Sequence, residues 1–138
     1  AFTSIYGHTA KAAELLAKEL ETAGVEKVVV SDLARSDMAE VLEDAFRYDR
    51  MVVMAPTYDA GVFPVMEEFL NHLKSKNYSN RKVGVVENGS WAPMAAKKMT
   101  EALSAMKKIT LCETTVSIKS ALNADSTAAL KQLAKELV

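Results

Sequence analysis

Short, nearly continuous apolar runs alternate along the chain with longer segments of helical periodicity. Four runs are predicted strands: "KVVV" from Lys27, "RMVVMA" from Arg50, "KVGVV" from Lys82 and "ITLCETTV" from Ile109. The first three are rich in valine and lack polar alternation, which is typical of parallel strands covered on both faces. The opening residues "AFTS" fit the end of one more strand, although about five residues would be usual for a strand.

The segments between and after these runs carry apolar residues at helical spacing, which predicts five helices. Residues typical of helix starts or ends accompany them: Gly24, Ser36, Asp37, Pro64, Pro93, Asn123 and Asp125. Regular alternation of strand and helix predicts an α/β fold, in which a parallel sheet carries helices on both faces. Ligands of such sheets bind beyond the carboxyl ends of the strands. The loops that follow the strands are therefore the candidate site.

The composition is that of one ordinary globular domain over residues 1–138, with 49% hydrophobic and 25% charged residues. Because the first predicted strand is so short, we expect its beginning to be missing, as in a domain taken from a longer chain. A truly short first strand is the alternative. The 17 basic and 18 acidic residues give a net charge of −1, so we expect no nucleic-acid partner. No apolar run is long enough to span a bilayer, so no membrane association is expected.

Cysteine and histidine are scarce, which limits the disulfide and metal chemistry open to this chain. Cys112 is the single cysteine and cannot form an internal disulfide, which favours a reducing, cytoplasmic location. The two histidines, His8 and His72, are too few for a structural zinc or histidine-rich iron site within this chain. Redox chemistry would therefore need an organic cofactor or another domain.

The loop after the first predicted strand runs Ser4-Ile5-Tyr6-Gly7-His8-Thr9 and leads into a helix. A helix N-terminus presents unpaired N–H groups and the positive end of the helix dipole, which favour a bound anion. Gly7 allows close approach of the backbone, and Ser4, Tyr6 and Thr9 add hydroxyl groups. A capped helix start, with Thr9 as the cap, is the equally good alternative on this loop alone.

Two further loops follow strands at the expected ligand edge. The loop Pro56-Thr57-Tyr58-Asp59-Ala60-Gly61-Val62-Phe63 holds two aromatic side chains that could flank a flat ring. Phe63 is better explained by packing beneath the next helix. The loop Asn88-Gly89-Ser90-Trp91-Ala92-Pro93 contains the only tryptophan, either a stacking surface or a core lid. Three such loops at one edge of the sheet favour a ligand site more strongly than any one of the loops does alone.

These residues resemble a known family. "SIYGHT" is similar to the flavodoxin phosphate-loop pattern Ser/Thr-x-Thr/Tyr-Gly-x-Thr, and "APTYDAGVFPVMEEFLNHLKSKNYSNRKVGVVENGSWAP" resembles the flavodoxin-like domain of flavodiiron proteins. The resemblance implies a flavodoxin-like three-layer fold, with a five-stranded parallel sheet in the order 2-1-3-4-5, and non-covalent FMN. The implied FMN contacts are Ser4, Ile5, Tyr6, Gly7, His8 and Thr9 for the phosphate, with Pro56, Thr57, Tyr58, Asp59, Ala60, Gly61, Asn88, Gly89, Ser90 and Trp91 for the ring.

The resemblance also implies a function and partners. The domain would pass electrons from a rubredoxin-like donor to a diiron domain in the same parent chain. The diiron domain would reduce oxygen or nitric oxide, and the parent protein would form a homodimer. This chain lacks an H-x-E-x-D pattern and cannot supply the irons. No residue resembles a required general acid or base, so no catalytic residue is expected. Asp59 and Glu87 are the carboxylates best placed to tune the flavin, unless they are merely solvated charges.

Two other functions are compatible with parts of this pattern. An FMN-dependent NAD(P)H:quinone oxidoreductase would share the fold, but it usually carries extra loop insertions that this compact chain lacks. A phosphoacceptor receiver domain would share the strand order. It needs paired acidic residues after the first strand and an aspartate ending the third, where this chain has Ser4 and Ala55-Pro56. The receiver interpretation is therefore poor.

Overall fold

In a computed structural model, the described residues are 1–4, 7–58, 61–89, 94–119 and 121–138, with Tyr58 described by its backbone only. Within these ranges the chain forms five helices: α1 His8–Thr22, α2 Met38–Arg47, α3 Pro64–Ser75, α4 Ala95–Ser104 and α5 Ala124–Leu137. It also forms four strands: β1 Arg50–Tyr58, β2 Gly61–Val62, β3 Arg81–Asn88 and β4 Ile109–Ile118.

The sheet has the predicted parallel order. Strands β1, β3 and β4 are parallel neighbours, with Met54 paired to Val86 and Val86 to Val116. Phe2 continues the sheet on the other side of β1 through parallel bridges to Met54 and to Asp32. Counted in chain order, these five segments lie in the order 2-1-3-4-5, which confirms the fold class and the flavodoxin-like topology.

Two local predictions about strands are wrong. The run "KVVV" from Lys27 forms no regular strand, and only Asp32 beyond it is bridged to the sheet. A strand exists only where a neighbour pairs with it, and the neighbouring segment offers a bridge at Phe2 alone. In addition, the loop predicted over residues 56–63 contains the end of β1 and all of β2, which form a short antiparallel pair.

The helix ends follow local sequence chemistry. Gly24, in the left-handed region with φ 101°, closes α1 in a Schellman motif: its N–H donates to Glu21 O, and Val25 N–H donates to Leu20 O. The Asp37 carboxylate caps α2 by accepting from Ala39 N. Two further predictions are confirmed, since Pro64 begins α3 and Asn123 caps α5 through a reciprocal capping box with Ser126. Pro93 lies outside the described residues, and α4 begins at Ala95.

The sheet separates two apolar clusters, as its parallel, doubly covered strands predict. Helices α2, α3 and α4 pack on one face, and α1 and α5 pack on the other. Gly84 in β3 permits a close approach by α5, because a Cβ at this position would lie 3.0 Å from Leu133 Cδ1. Among the described helices, none is both long enough and apolar enough to cross a membrane.

Candidate functional site

The three loops singled out by sequence start from one edge of the sheet. Phe2 is bridged to Met54, so Ser4 lies two residues further along, at the level of Pro56. Pro56 is paired with Asn88, and Asn88 with Ile118. The described ends of the three loops are therefore adjacent at the carboxyl ends of the strands, as predicted.

The first loop leaves the start of α1 open. The Gly7 N–H donates to Ser4 Oγ at 3.0 Å, and Gly7 adopts a left-handed conformation with φ 84°. The first hydrogen bond into the helix runs from Lys11 N to Gly7 O at 3.1 Å. The N–H groups of the three residues between them, 8–10, precede this bond and point out of the helix end without an intrahelical acceptor.

The start of α1 also differs in charge from the other helix starts. The first turns of α2, α3 and α5 contain Glu40, Glu67 and Asp125, respectively, and the Glu87 carboxylate accepts from Ala96 N at the start of α4. The first turn of α1 has no acidic residue, and no side chain in the described part of the protein caps it. The positive end of the α1 dipole is therefore not offset by protein carboxylates, which favours an anionic ligand there.

The alternative explanation of this loop, with Thr9 as the cap, is wrong. Gly7 occupies the N-cap position, and Thr9 lies within α1, only 2% exposed. Ser4 uses its hydroxyl oxygen for Gly7, which precedes the helix. Close by in sequence, Thr3 Oγ1 is buried without a hydrogen-bond partner among the described residues. The polar groups of this region are therefore not satisfied by helix capping.

The second loop is tied to the third through Thr57. Its Oγ1 accepts hydrogen bonds from Met94 N at 2.9 Å and Ala95 N at 3.1 Å. Both lone pairs of the hydroxyl are thereby engaged, so Thr57 can approach a ligand only as a donor through its own O–H. Tyr58 pairs with Gly61 across the β1–β2 turn. Thr57 thus sets the position of the α4 start.

Glu87 is a buried structural carboxylate and not a solvated charge. The residue is only 7% exposed. Its Oε1 accepts from Ala96 N at 3.0 Å, and Ser117 Oγ donates to its Oε2. Sequence reasoning missed both contacts. The sequence did contain a sign that Glu87 would be buried, because this residue continues an apolar run in a strand covered on both faces. Ser117 carried no comparable signal.

Together these side chains hold the start of α4. The N–H groups of Met94, Ala95 and Ala96 are accepted by Thr57 from β1 and by Glu87 from β3. On the other side of residues 90–93, Gly89 N–H donates to Ile118 O at 2.9 Å. Both residues flanking 90–93 are therefore anchored to the sheet.

Part of the predicted site lies outside the described residues: Ile5, Tyr6, Asp59, Ala60, Ser90 and Trp91, and the Tyr58 side chain with them. The described members are Ser4, Gly7, His8, Thr9, Pro56, Thr57, Gly61, Asn88 and Gly89. No group of three or more His, Cys, Asp or Glu side chains in the described part of the chain is arranged to hold a metal ion. The described donors suit the phosphate of a nucleotide, because they are backbone N–H groups at an uncapped helix start.

Comparison with known proteins gives a consistent result. The sequence matches the flavodoxin family over residues 1–135. A curated relative, an uncharacterized protein of Methanocaldococcus jannaschii, is 29% identical over 102 residues, which cover 73% of this chain and 26% of the relative. This chain therefore spans about a quarter of that relative's length.

Solved structures show the same fold at low sequence identity. The rubredoxin oxygen:oxidoreductase of Desulfovibrio gigas has a TM-score of 0.92 at 20% identity, covering 99% of this chain and 33% of that one. The flavodiiron protein of Giardia intestinalis has a TM-score of 0.89 at 17% identity, covering 99% and 34%. A flavodoxin from the domain Archaea has a TM-score of 0.85 at 18% identity, covering 99% and 92%.

The family match, the order of the sheet and the open start of α1 at the ligand edge all support the same conclusion. The match extends over residues 1–135, and the five segments of the sheet lie in the flavodoxin order. The chain therefore belongs to the flavodoxin family, with FMN as its cofactor and electron transfer as its function.

Proposed function

We propose that this chain is the FMN-binding electron-transfer domain of a flavodiiron protein. The observation that carries the proposal is one of relative length. The curated relative, at 29% identity, is matched over only 26% of its own length, as expected for one domain of a longer protein. The long sequence stretch from Ala55 to Pro93 that resembles flavodiiron proteins gives independent support.

The start of α1 would hold the phosphate. The N–H groups of His8, Thr9 and Ala10 lie ahead of the first intrahelical bond, so they would donate to phosphate oxygens without any Lys or Arg in the loop. Ser4 holds the Gly7 N–H and thereby sets the direction in which the backbone enters the helix. A Cβ added to Gly7 would have no atom of the described residues within 4 Å.

The loops after β1 and β3 would hold the ring. When bound, FMN supplies the redox chemistry, and the protein supplies binding, orientation and electrostatics. Thr57 and Glu87 would affect the ring indirectly, because their oxygens fix the start of α4 and hence one end of the third loop. Fixed loop ends keep the ring contacts in place between electron-accepting and electron-donating encounters.

The proposal extends to partners and location. A rubredoxin-like protein would donate the electrons, and a diiron domain in the same parent chain, itself within a homodimer, would receive them. The net charge of −1 gives no strong acidic field for docking to a basic donor. Cys112, buried and without a disulfide in the described structure, fits a reducing cytoplasm.

Two measurements test the proposal in order. FMN titration with an absorbance scan should give a yellow complex of one FMN per chain; a chain that takes up no FMN contradicts any FMN-dependent function. Stopped-flow mixing of the loaded chain with a reduced rubredoxin-like donor should then reduce it much faster than NADH or NADPH does. Rapid direct reduction by a nicotinamide would favour the NAD(P)H:quinone oxidoreductase alternative.

A further inference from the structure

Ser117 lies on β4, a strand to which the sequence assigns no residue of the flavin site. Among the described strands β4 is at the edge of the sheet, with β3 as its neighbour. Ser117 is the register partner of Glu87, so the two side chains lie on the same face of the sheet. Ser117 is exposed, whereas Val116 and Ile118 are buried in the apolar cluster on the other face. Packing of the core therefore does not require a serine at this position.

Glu87 is a buried carboxylate that is held by hydrogen bonds. None of the ion pairs in the described part of the chain includes it. Its two oxygens have different donors, since Oε1 accepts from Ala96 N at 3.0 Å and Oε2 accepts from Ser117 Oγ. A buried carboxylate depends on such donors, because they compensate for its lost hydration.

The two donors reach Glu87 from different elements, and together they fix its orientation. Ala96 belongs to the first turn of α4, and Ser117 belongs to β4. The terminal torsion of a glutamate side chain has broad energy minima, so one hydrogen bond at Oε1 leaves the carboxylate plane free to turn. A second donor at Oε2 removes this freedom. Ser117 thus keeps Oε1 directed at the Ala96 N–H.

The start of α4 is in this way held from three neighbouring strands. Thr57 on β1 accepts from two successive N–H groups there, the first of them that of Met94. Glu87 on β3 accepts from the next N–H group, and Ser117 on β4 fixes Glu87. Since Met94 directly follows the third loop, a turn of the Glu87 carboxylate would loosen one end of this loop.

We propose that Ser117 is a positioning residue of the FMN site, acting through Glu87 on the α4 end of the third loop. This inference rests on the proposed function, in which the third loop holds the ring. The alternative is that the Ser117 hydroxyl only takes the place of a water molecule beside Glu87. In that case its removal would leave FMN binding unchanged, because water from the exposed side would replace it.

The test measures FMN affinity by titration and amide hydrogen exchange in the FMN-free chain. Ser117→Ala should raise the dissociation constant of FMN about fivefold, because a hydrogen bond to a buried carboxylate is lost. It should also speed exchange of the Ala96 amide by about tenfold. Ser117→Thr keeps the hydroxyl and should restore both values. The matched control is Thr115→Ala, at an exposed position on the same face of β4, which should change FMN affinity by less than about twofold.

A double-mutant cycle tests whether Ser117 acts through Glu87. In a Glu87→Ala background, Ser117→Ala should cause no further loss of FMN affinity. A further loss of the same size there would overturn the proposal. Unchanged FMN affinity in Ser117→Ala alone would also overturn it, even with faster exchange at Ala96, because the role of Ser117 would then be structural only. This second comparison does not depend on the folding of the Glu87→Ala variant.

These outcomes are distinct from a failure of the proposed function. If the unmodified chain takes up FMN and Ser117→Ala binds it equally well, only the role of Ser117 is refuted. If the unmodified chain takes up no FMN, the proposed function is refuted, and the role of Ser117 with it.

Discussion

The two ends of the sheet differ in how side chains satisfy the polar groups of the backbone. At the carboxyl edge, polar backbone groups at the start of α4 are satisfied by side chains, since Thr57 and Glu87 accept three successive N–H groups. At the amino end, Arg81 donates to Phe46 O at 2.8 Å and to Tyr48 O at 2.9 Å, and Arg50 donates to Leu137 O at 3.2 Å. Side chains therefore accept from backbone N–H groups at the carboxyl edge, whereas they donate to backbone C=O groups at the amino end.

This difference assigns separate tasks to the two ends. Side-chain acceptors fix the α4 start while the α1 start keeps its N–H groups for a ligand. The side-chain hydrogen bonds of the amino end join β3 to α2 and β1 to α5, and their contribution is to stability. Substitutions at the carboxyl edge should therefore change FMN binding together with stability, and changes at the amino end should alter stability alone.

The largest expected effect is that of Glu87→Ala at the carboxyl edge. It removes the acceptor of a buried N–H and opens space beneath α4, so the free energy of unfolding should fall by about 3 kcal/mol, and FMN should bind more weakly. Urea unfolding and FMN titration measure the two effects. Glu136→Ala is the control, since Glu136 accepts from Thr114 N at 3.0 Å away from this edge. An equal loss of FMN affinity in the control would contradict the comparison.

A matched glycine pair compares the two ends of one helix. Gly7 and Gly24 flank α1, both have positive φ, and a Cβ added to either would meet no atom within 4 Å in the part of the chain that the structure describes. Each change to alanine should cost about 1–2 kcal/mol of stability through backbone strain. Only Gly7→Ala should weaken FMN binding, because Gly7 directs the open start of α1, and Gly7→Val should weaken it further. Equal FMN affinity in the two alanine variants would mean that the phosphate site is misplaced.

The smallest effect is expected for Cys112→Ser. Cys112 is buried among apolar side chains of β4, α1 and α5, and burial raises the pKa of its thiol. A hydroxyl in its place should cost about 1 kcal/mol, and FMN binding should be unchanged. A clear loss of FMN affinity in this variant would contradict the separation of site and core.

Local chemistry made much of this fold predictable. Gly24, Asp37 and Asn123 mark helix ends through left-handed backbone or side-chain caps that need only a few neighbouring residues. The convergence of the loops followed from strand–helix alternation. The contacts of Glu87 and Thr57 were not predictable, because their acceptor atoms meet N–H groups that lie 9 and 37 residues away in the chain.

The sequence by itself determined three of the apolar strands, several helix ends, the parallel sheet and the resemblance to flavodoxins, because these depend on periodicity and short motifs. Tertiary structure decided which segments pair and which polar groups are used. The run from Lys27 has the composition of a strand, yet pairing in this sheet begins only at Ser31. Hydrogen bonds between strands need a partner at the correct distance, and only the folded chain shows whether that partner is there.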